Sequence, residues 1–454
     1  MRKYFIIIAL GLFLLPAEAV IDLDDTFSVD GSIRYHYETF RGFNEKEYGE
    51  DPSVGKGSKD LILARTRIGL QYAPRWNFSA KITLQDSEAW NYGFDNEDWY
   101  SKEFNLQNNQ QLNYLDLAET YLEWKDLSAL PVLRIGRQSI AYDNALLLGD
   151  GGWKNNQRLW DGLKYSWRNY LHYIDVFSGH TLLYEPDEPS WTHRYQYEGS
   201  GLYAHYALSE TSAIEPYALS KINTIANDTY NYIKYFYYGL RLYETNCNDF
   251  SYDLTYIRQC GTYETAGTKN IIPATSGMNA YMYHWEIGYR FSETIYRPKI
   301  LFAKTYASGE NPSTNTLEKF DGAYSSATKY LGRMGLFSLS AINAQEISFL
   351  FTPWLNTNVR IDHHLFDLAA KTDKWYSYNG KTIGNNSEKA YLNIGREIDC
   401  TIDYKFFDTL SILFGYCVFY PGDLLRENYA NVPKKLEYPN NNATYGFYEL
   451  TYKF

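Results

Sequence analysis

Three features of this 454-residue chain predict an all-β fold, a transmembrane antiparallel β-barrel. Its last ten residues alternate apolar and polar side chains up to a terminal phenylalanine. Similar period-two segments recur from Thr26 onward, and after the N-terminal leader no apolar run approaches the roughly 20 residues that a membrane-spanning helix needs. The connections between those segments alternate between short and long.

In the terminal segment, Phe454, Tyr452, Leu450 and Tyr448 fall on one face of an extended strand, and Lys453, Thr451 and Glu449 on the other. In water such a strand is a sticky edge. In a bilayer it is a wall element, apolar toward lipid and polar toward a lumen. An aromatic last residue after alternating apolar positions also resembles the assembly signal that outer-membrane barrels present to the barrel-assembly machinery. Phe454 and Tyr452 are the candidates for it.

At the other end, Met1-Arg2-Lys3 precedes an apolar run over residues 4–15 and a small-x-small site at Ala17-Glu18-Ala19. This pattern reads as a secretory signal peptide over residues 1–19, leaving a single barrel domain over residues 20–454.

The first strand, 27–37, sets Phe27, Val29, Ile33 and Tyr35 against Ser28, Asp30, Ser32, Arg34 and His36. The second, 62–72, sets Ile68, Leu70 and Tyr72 against Arg65, Arg67 and Gln71. Further strands begin near Asn77, Leu117, Pro131, Gly162, Leu171, Leu202, Ala213, Tyr235, Phe250, Tyr281, Lys299, Glu346, Asn358, Glu397, Leu410 and Ala443. That makes eighteen strands, with sixteen as the alternative. Short turns fall near Pro74, Asp126, Asn169, Glu210, Asn246, Glu293, Leu355 and Asp408. Long polar loops follow Glu38, Asp86, Gln138, Gly179, Ile222, Arg258, Ser308, Phe366 and Pro421. Short turns on one rim and long loops on the other are the outer-membrane pattern, with turns periplasmic and loops extracellular.

Composition agrees. The chain has 46 Tyr, 24 Phe and 11 Trp, residues suited to a membrane interface. A net charge of −11 gives no support to nucleic-acid binding, and four cysteines are few for a disulfide framework. Cys400 and Cys417 lie on successive strands, but alternation points the first at lipid and the second at the lumen. No zinc, phosphate-loop or nucleophile-elbow motif is present, so no cofactor, metal or enzymatic activity is expected. His363 and His364 are adjacent in a strand and point to opposite faces.

Barrels of roughly 16 to 18 strands usually enclose an aqueous channel, narrowed where a long loop folds inward. Residues 85–116, 138–161 and 308–345 are the candidates for such loops. The segment Arg134-Ile135-Gly136-Arg137-Gln138, the turn Asp143-Asn144, Gly149, Trp153-Lys154-Asn155-Asn156 and Trp160-Asp161-Gly162 together resemble the signature of the alginate-export family of outer-membrane proteins. Lys154 stands where arginine is common there, and Trp160 where phenylalanine is common. Glu119-Thr120-Tyr121-Leu122, Arg65-Thr66-Arg67-Ile68-Gly69-Leu70 and Gly395-Arg396-Glu397-Ile398-Asp399 fit as well.

The resemblance implies an eighteen-stranded monomeric barrel in the bacterial outer membrane whose arginine-lined constriction passes an anionic saccharide. By that reading Arg65, Arg67, Arg134, Arg137, Arg158 and Arg360 line the pore, and Gln138, Asp143, Asn144, Trp153, Asn156 and Asp161 form the signature loop. Two other readings stay open for these residues. Arg65 and Arg67 are either solute-binding or ion-paired wall residues beside carboxylates such as Glu119, and the signature loop either touches solute or fixes its own fold. For the whole chain, the alternatives are a general diffusion porin for small polar solutes and a surface adhesin or receptor barrel.

Overall fold

Strands with one lipid-facing side need their backbone groups paired all round, which in a bilayer only a closed sheet provides. The computed structural model describes residues 20–41, 59–74, 77–90, 111–125, 131–142, 144–186, 188–223, 232–264, 271–272, 278–311, 313–314, 316–371, 373–376, 382–385, 391–424 and 442–454. The expected leader lies outside them. The barrel strands are β1 (Phe27–Arg41), β2 (Lys59–Tyr72), β3 (Phe78–Trp90), β4 (Asn113–Lys125), β5 (Pro131–Gln138) and β6 (Trp160–Arg168). They continue with β7 (His172–Leu182), β8 (Tyr195–Ala207), β9 (Ser212–Asn223), β10 (Tyr232–Cys247), β11 (Phe250–Glu264) and β12 (Ala280–Arg290). The last six are β13 (Lys299–Ala307), β14 (Ile342–Phe351), β15 (Thr357–Leu368), β16 (Asn393–Phe407), β17 (Leu410–Pro421) and β18 (Ala443–Lys453). Each pairs antiparallel with its sequence neighbours. Closure comes from β18 pairing with β1, where Ile33 faces Tyr452 and Tyr35 faces Leu450.

The outer face is apolar and exposed, as at Leu70, Ile82, Leu122 and Ile135. Near the turn rim it carries aromatic pairs: Phe27 with Tyr72, Phe78 with Trp124 and Phe250 with Tyr289, with ring centroids 4.9, 5.3 and 5.0 Å apart. This girdle marks the membrane boundary. Turns on this rim are tight. Asn248 and Asp249, both at positive φ (48° and 72°), join β10 to β11 as the two-residue turn that a twisted hairpin favours.

All eighteen expected strands are present, and the starts differ most where strands outrun the apolar band. The strand expected near Leu202 begins at Tyr195, and those expected near Leu117, Glu346 and Glu397 begin at Asn113, Ile342 and Asn393. These extensions lie on the loop side, where the pairing continues but lipid no longer imposes the alternation.

The expectation for the lumen face is corrected. Polar residues were expected on the lumen face, but toward the loop rim Tyr445 and Phe447 of β18 point inward and are fully buried, together with Phe366, Phe419 and Tyr237. Two of the expected inward loops do fold into the lumen: the described residues of 139–159 and 308–341 share one apolar core with those wall residues. For the third loop candidate, 85–116, residues 85–90 and 113–116 belong to β3 and β4, and residues 91–110 lie outside the described residues.

Phe454 is fully buried instead of facing lipid, packing with Ile33 and Tyr452 and against Ile21, Ile68 and Leu410. Its carbonyl accepts from the Gly31 amide at 2.7 Å, and its own amide donates back at 3.1 Å. A Cβ at Gly31 would stand 2.4 Å from the Phe454 ring, so the ring's seat exists only because residue 31 is glycine. Deleting Phe454 should nearly abolish assembled barrel if it serves as the expected assembly signal as well as supplying packing worth about 3 kcal/mol. Gly31→Val, which keeps the terminal residue and displaces its ring, should still insert but unfold at a lower temperature. Heat-modifiability on gels checks both outcomes, and equal behaviour of the two variants would mean that Phe454 acts through packing alone.

Candidate pore constriction

The first inward segment, residues 139–159, leaves β5 at Gln138, which is buried and reaches the Gly136 and Gly162 carbonyls at 3.4 and 3.3 Å. Its apolar stretch Leu146, Leu147 and Leu148 is buried in the lumen core. Its polar stretch lies against β1 to β3. The second segment, residues 308–341, meets the first along their backbones. Tyr324 donates to the Leu147 carbonyl at 3.0 Å, Gly149 donates to the Tyr324 carbonyl at 2.9 Å, and Ser326 donates to the Ala145 carbonyl at 2.9 Å. The Tyr330 hydroxyl closes the joint onto the Asn144 carbonyl. A third piece comes from the loop after β15. Ala369 donates to the Ala341 carbonyl at 3.0 Å, and the Trp375 indole donates to the Leu336 carbonyl at 3.2 Å. Together these segments form a plug.

The polar stretch of the first segment covers a row of arginines. Arg34 of β1 lies directly opposite Arg65 of β2, with Arg67 two residues along the same face. Like charges so placed repel. Neutral oxygens hold Arg65 and Arg67 instead of carboxylates, and they hold Arg34 alongside Glu449 3.6 Å away. Arg34 donates to the Gly152 and Lys154 carbonyls, both at 2.9 Å, and to Asn155 Oδ1 at 3.0 Å. Arg65 reaches the Asn155 carbonyl at 3.4 Å, and Arg67 bonds Gln85 Oε1 and Gln157 Oε1, each at 2.6 Å. Asn155 is the hub of this joint. It is fully buried, and its amide nitrogen donates to the Ala64, Glu88 and Gln111 carbonyls at 3.2, 2.9 and 3.1 Å.

Arg158, at the end of the same segment, donates to the Gly149 and Tyr324 carbonyls. Burial lowers its pKa from the usual guanidinium value.

The structure thus divides the six arginines expected to line a pore. Arg134 bonds Glu123 at 2.6 and 2.9 Å. Arg137 forks onto both oxygens of Asp161 at 2.9 and 3.1 Å and also holds the Leu117 and Ser190 carbonyls at 2.9 Å. Arg360 bonds Asp362 at 2.7 Å and Glu346 at 2.6 Å. These three are neutralised. Arg65, Arg67 and Arg158 have no ion pair among the described residues, and Arg34 has Glu449 at 3.6 Å. For Arg65 and Arg67 the ion-paired reading is therefore corrected; Glu119 accepts instead from the Ser139 amide at 3.3 Å.

The signature loop holds its own fold. Trp153 packs edge-on to His36 and Phe447, with centroids 4.6 and 4.8 Å away. Asn156 donates to the Leu112 carbonyl at 2.9 Å, and Asn144 to Thr255 at 3.2 Å. Asp161 receives Arg137. Asp143 lies outside the described residues. Two residues that the sequence does not mark as site residues, Arg34 and Gln157, complete the arginine row. Arg34 could have been found from its place opposite Arg65, once the strand register was known.

The "Alginate export" family model matches residues 26–437. This chain belongs to that family. No curated protein matches its sequence. Among solved structures, Pseudomonas aeruginosa OccK5 (OpdH) superposes with a TM-score of 0.58 at 8% identity, over 95% of this chain and 98% of that one. Acinetobacter baumannii OccAB4 gives 0.57 at 8% over 95% and 99%, and P. aeruginosa OpdK with vanillate gives 0.56 at 9% over 94% and 98%. The fold is thus that of outer-membrane porins, and this alginate-export family member is an outer-membrane barrel porin.

Asn155→Leu should remove the amide that ties the Ala64, Glu88 and Gln111 carbonyls to the plug, a cost of about 2 kcal/mol. The barrel should persist while the plug loosens, seen as larger and noisier single-channel conductance. Unchanged conductance would mean that Asn155 does not hold the plug.

The third plug piece should respond to pH. Burial raises the Asp373 carboxyl to about 6, against an ordinary 3.8. The folded state thus favours the neutral acid, and the stability it contributes is complete below pH 3.8 and lost as pH rises through about 6. Protease sensitivity of this loop should increase across that window, and Asp373→Asn should abolish the change.

Proposed function

We propose that this porin passes small anionic saccharides or related carboxylates passively, drawn by the arginine row at the plug. One observation carries the reading: Arg65, Arg67 and Arg158 are held by neutral oxygens and keep their charge, whereas neighbouring wall arginines are spent on carboxylates. A guanidinium bonded to carbonyls keeps its charge and still attracts a carboxylate. Arg34 Nε, Arg65 Nε and Arg67 NH2 are shielded from solvent and have no acceptor among the described residues, so the row acts on a solute in the lumen through its field. The OpdK structure carries vanillate, a carboxylate, in a barrel of the same fold, and this supports the class of solute.

The packed lumen favours this selective reading over a general diffusion porin, which needs an open tube. In this reading the barrel is a monomer, the loops are extracellular and the turns periplasmic. The leader of residues 1–19 directs export, and Phe454 with Tyr452 is read by the assembly machinery.

Replacing Arg65 and Arg67 together by glutamine keeps amide donors near Asn155 and Gln157 while removing two charges. Reversal potentials in a salt gradient should move toward cation preference, most at low ionic strength, where the Debye length is roughly 30 Å at 0.01 M against 10 Å at 0.1 M. Heat stability should be kept or raised, because two buried like charges are relieved. An unchanged reversal potential would remove the arginine row from the selectivity filter. Absence of stepwise currents from wild-type protein in planar bilayers would favour the adhesin or receptor reading.

A further inference from the structure

Four neighbouring strands, β14 to β17, place two rungs of ionisable side chains on the lumen face. Cross-strand register sets Glu346 opposite His364 and His364 opposite Glu397. The next rung sets Asp362 opposite Asp399 and Asp399 opposite Cys417. All six are buried. Arg360 is committed to Asp362 and Glu346. That leaves Glu397 and Asp399 with His364 as their cationic neighbour, its Nε2 3.5 Å from Asp399 Oδ2. Two amides of the second inward segment also bond them, Met334 to Glu397 at 2.9 Å and Arg333 to Asp399 at 3.0 Å.

These bonds do not complete the cluster. Glu397 Oε2, Asp399 Oδ1 and His364 Nδ1 are shielded from solvent and have no hydrogen-bond partner among the described residues. Two buried carboxylates in contact, with free oxygens and one imidazole, leave an uncompensated negative charge that a cation or a shared proton must answer. The donor atoms of Glu397, Asp399 and Cys417 lie within 4.8 Å of one another, and His364, which groups with Glu346 and Asp362, approaches this set through Asp399. The 3.5 Å from His364 to Asp399 is about the edge of a tetrahedron around an ion with bonds near 2.1 Å.

We propose that Glu397, Asp399, Cys417 and His364 form a binding site for a divalent transition metal of the zinc class. Thiolate, imidazole and carboxylate together suit a borderline ion such as Zn²⁺ and not Ca²⁺ or Mg²⁺, which take oxygen ligands. The site ties β15, β16 and β17 together beneath the second inward segment. Gly332 seats that segment on it, with φ +81° and a would-be Cβ 2.6 Å from the Glu397 carboxylate. The ion would thereby anchor the plug at the wall. No single stretch of sequence shows this site, because its four ligands come from three strands and no two of them have a metal-motif spacing.

The test uses untagged, full-length barrel folded in detergent, stripped with EDTA, equilibrated with ZnCl₂ and desalted. Elemental analysis should find one zinc per barrel. Cys417→Ser and His364→Gln should each weaken retention by about tenfold or more. Cys400→Ser, on the same wall but facing outward, should not. With Co²⁺, wild-type protein should show a thiolate-to-metal charge-transfer band that Cys417→Ser lacks, a signature that a merely structural cysteine would not give. Folded, heat-modifiable wild-type protein that retains no more zinc than the variants would overturn the site and assign the cluster to a shared proton. A cobalt complex without the thiolate band would overturn Cys417 as a ligand.

Discussion

Everything inside this barrel depends on how the inward segments satisfy their own backbone polar groups. A chain that leaves the sheet and enters the lumen carries one donor and one acceptor per residue into a space largely closed to water. The two segments answer part of this demand with each other, through the reciprocal bonds of Leu147, Gly149 and Tyr324. The rest is met by the wall, with opposite polarity on the two sides. The first segment turns carbonyls of Gly152, Lys154 and Asn155 toward arginines of β1 and β2. The second turns amides of Arg333 and Met334 toward carboxylates of β16. Backbone dipoles, not side-chain ion pairs, fasten these contacts.

That choice has an electrostatic consequence. An ion pair cancels the charge of the residue it holds, whereas a carbonyl or amide solvates the charge and leaves it. At an effective dielectric of about 20, a unit charge 4 Å from another is worth about 4 kcal/mol. An arginine row held by carbonyls can therefore attract an anion that a row held by aspartates cannot. The arrangement is costly to the fold, since Arg34 and Arg65 face each other with Glu449 3.6 Å from Arg34 as their nearby counter-charge. A cost of this kind persists where a site uses the charge.

The barrel itself was legible in the sequence because lipid imposes a strict rule. Every membrane-level strand must show period two on its outer face, and turns such as Asn248-Asp249 announce themselves by residue type. The strand extensions at Tyr195 and Ile342 were not legible, since above the membrane no solvent boundary enforces alternation. Inward-facing Tyr445 and Phe447 were hidden for a related reason. A residue that packs on a plug obeys the plug's chemistry, and nothing local in 443–453 says that a plug is there. The inward loops themselves could be proposed from length and from the family signature, but not their joint, which pairs residues near 147 with residues near 324. Nor could the sequence separate Arg65 from Arg134. Both alternate inward, and only the register and the loop conformation show that one meets Asn155 and the other Glu123.

The abundant aromatics fall into two populations with different work. The outer ones, such as Trp124 and Tyr289, position the barrel in the bilayer and stay exposed. The inner ones, Phe337, Phe366, Phe419 and Trp375 among them, are buried with the inward segments, as in the Phe337 and Phe366 rings 4.3 Å apart. An eighteen-stranded wall cannot fill its own lumen with side chains, so the plug supplies the missing apolar surface and the wall turns aromatic rings inward to meet it. The same packing excludes water from around the arginine row, which strengthens its field on whatever anion reaches it. On the proposed reading, selectivity and plug stability come from one arrangement, and a substitution that improved one by adding a carboxylate beside Arg65 would remove the other.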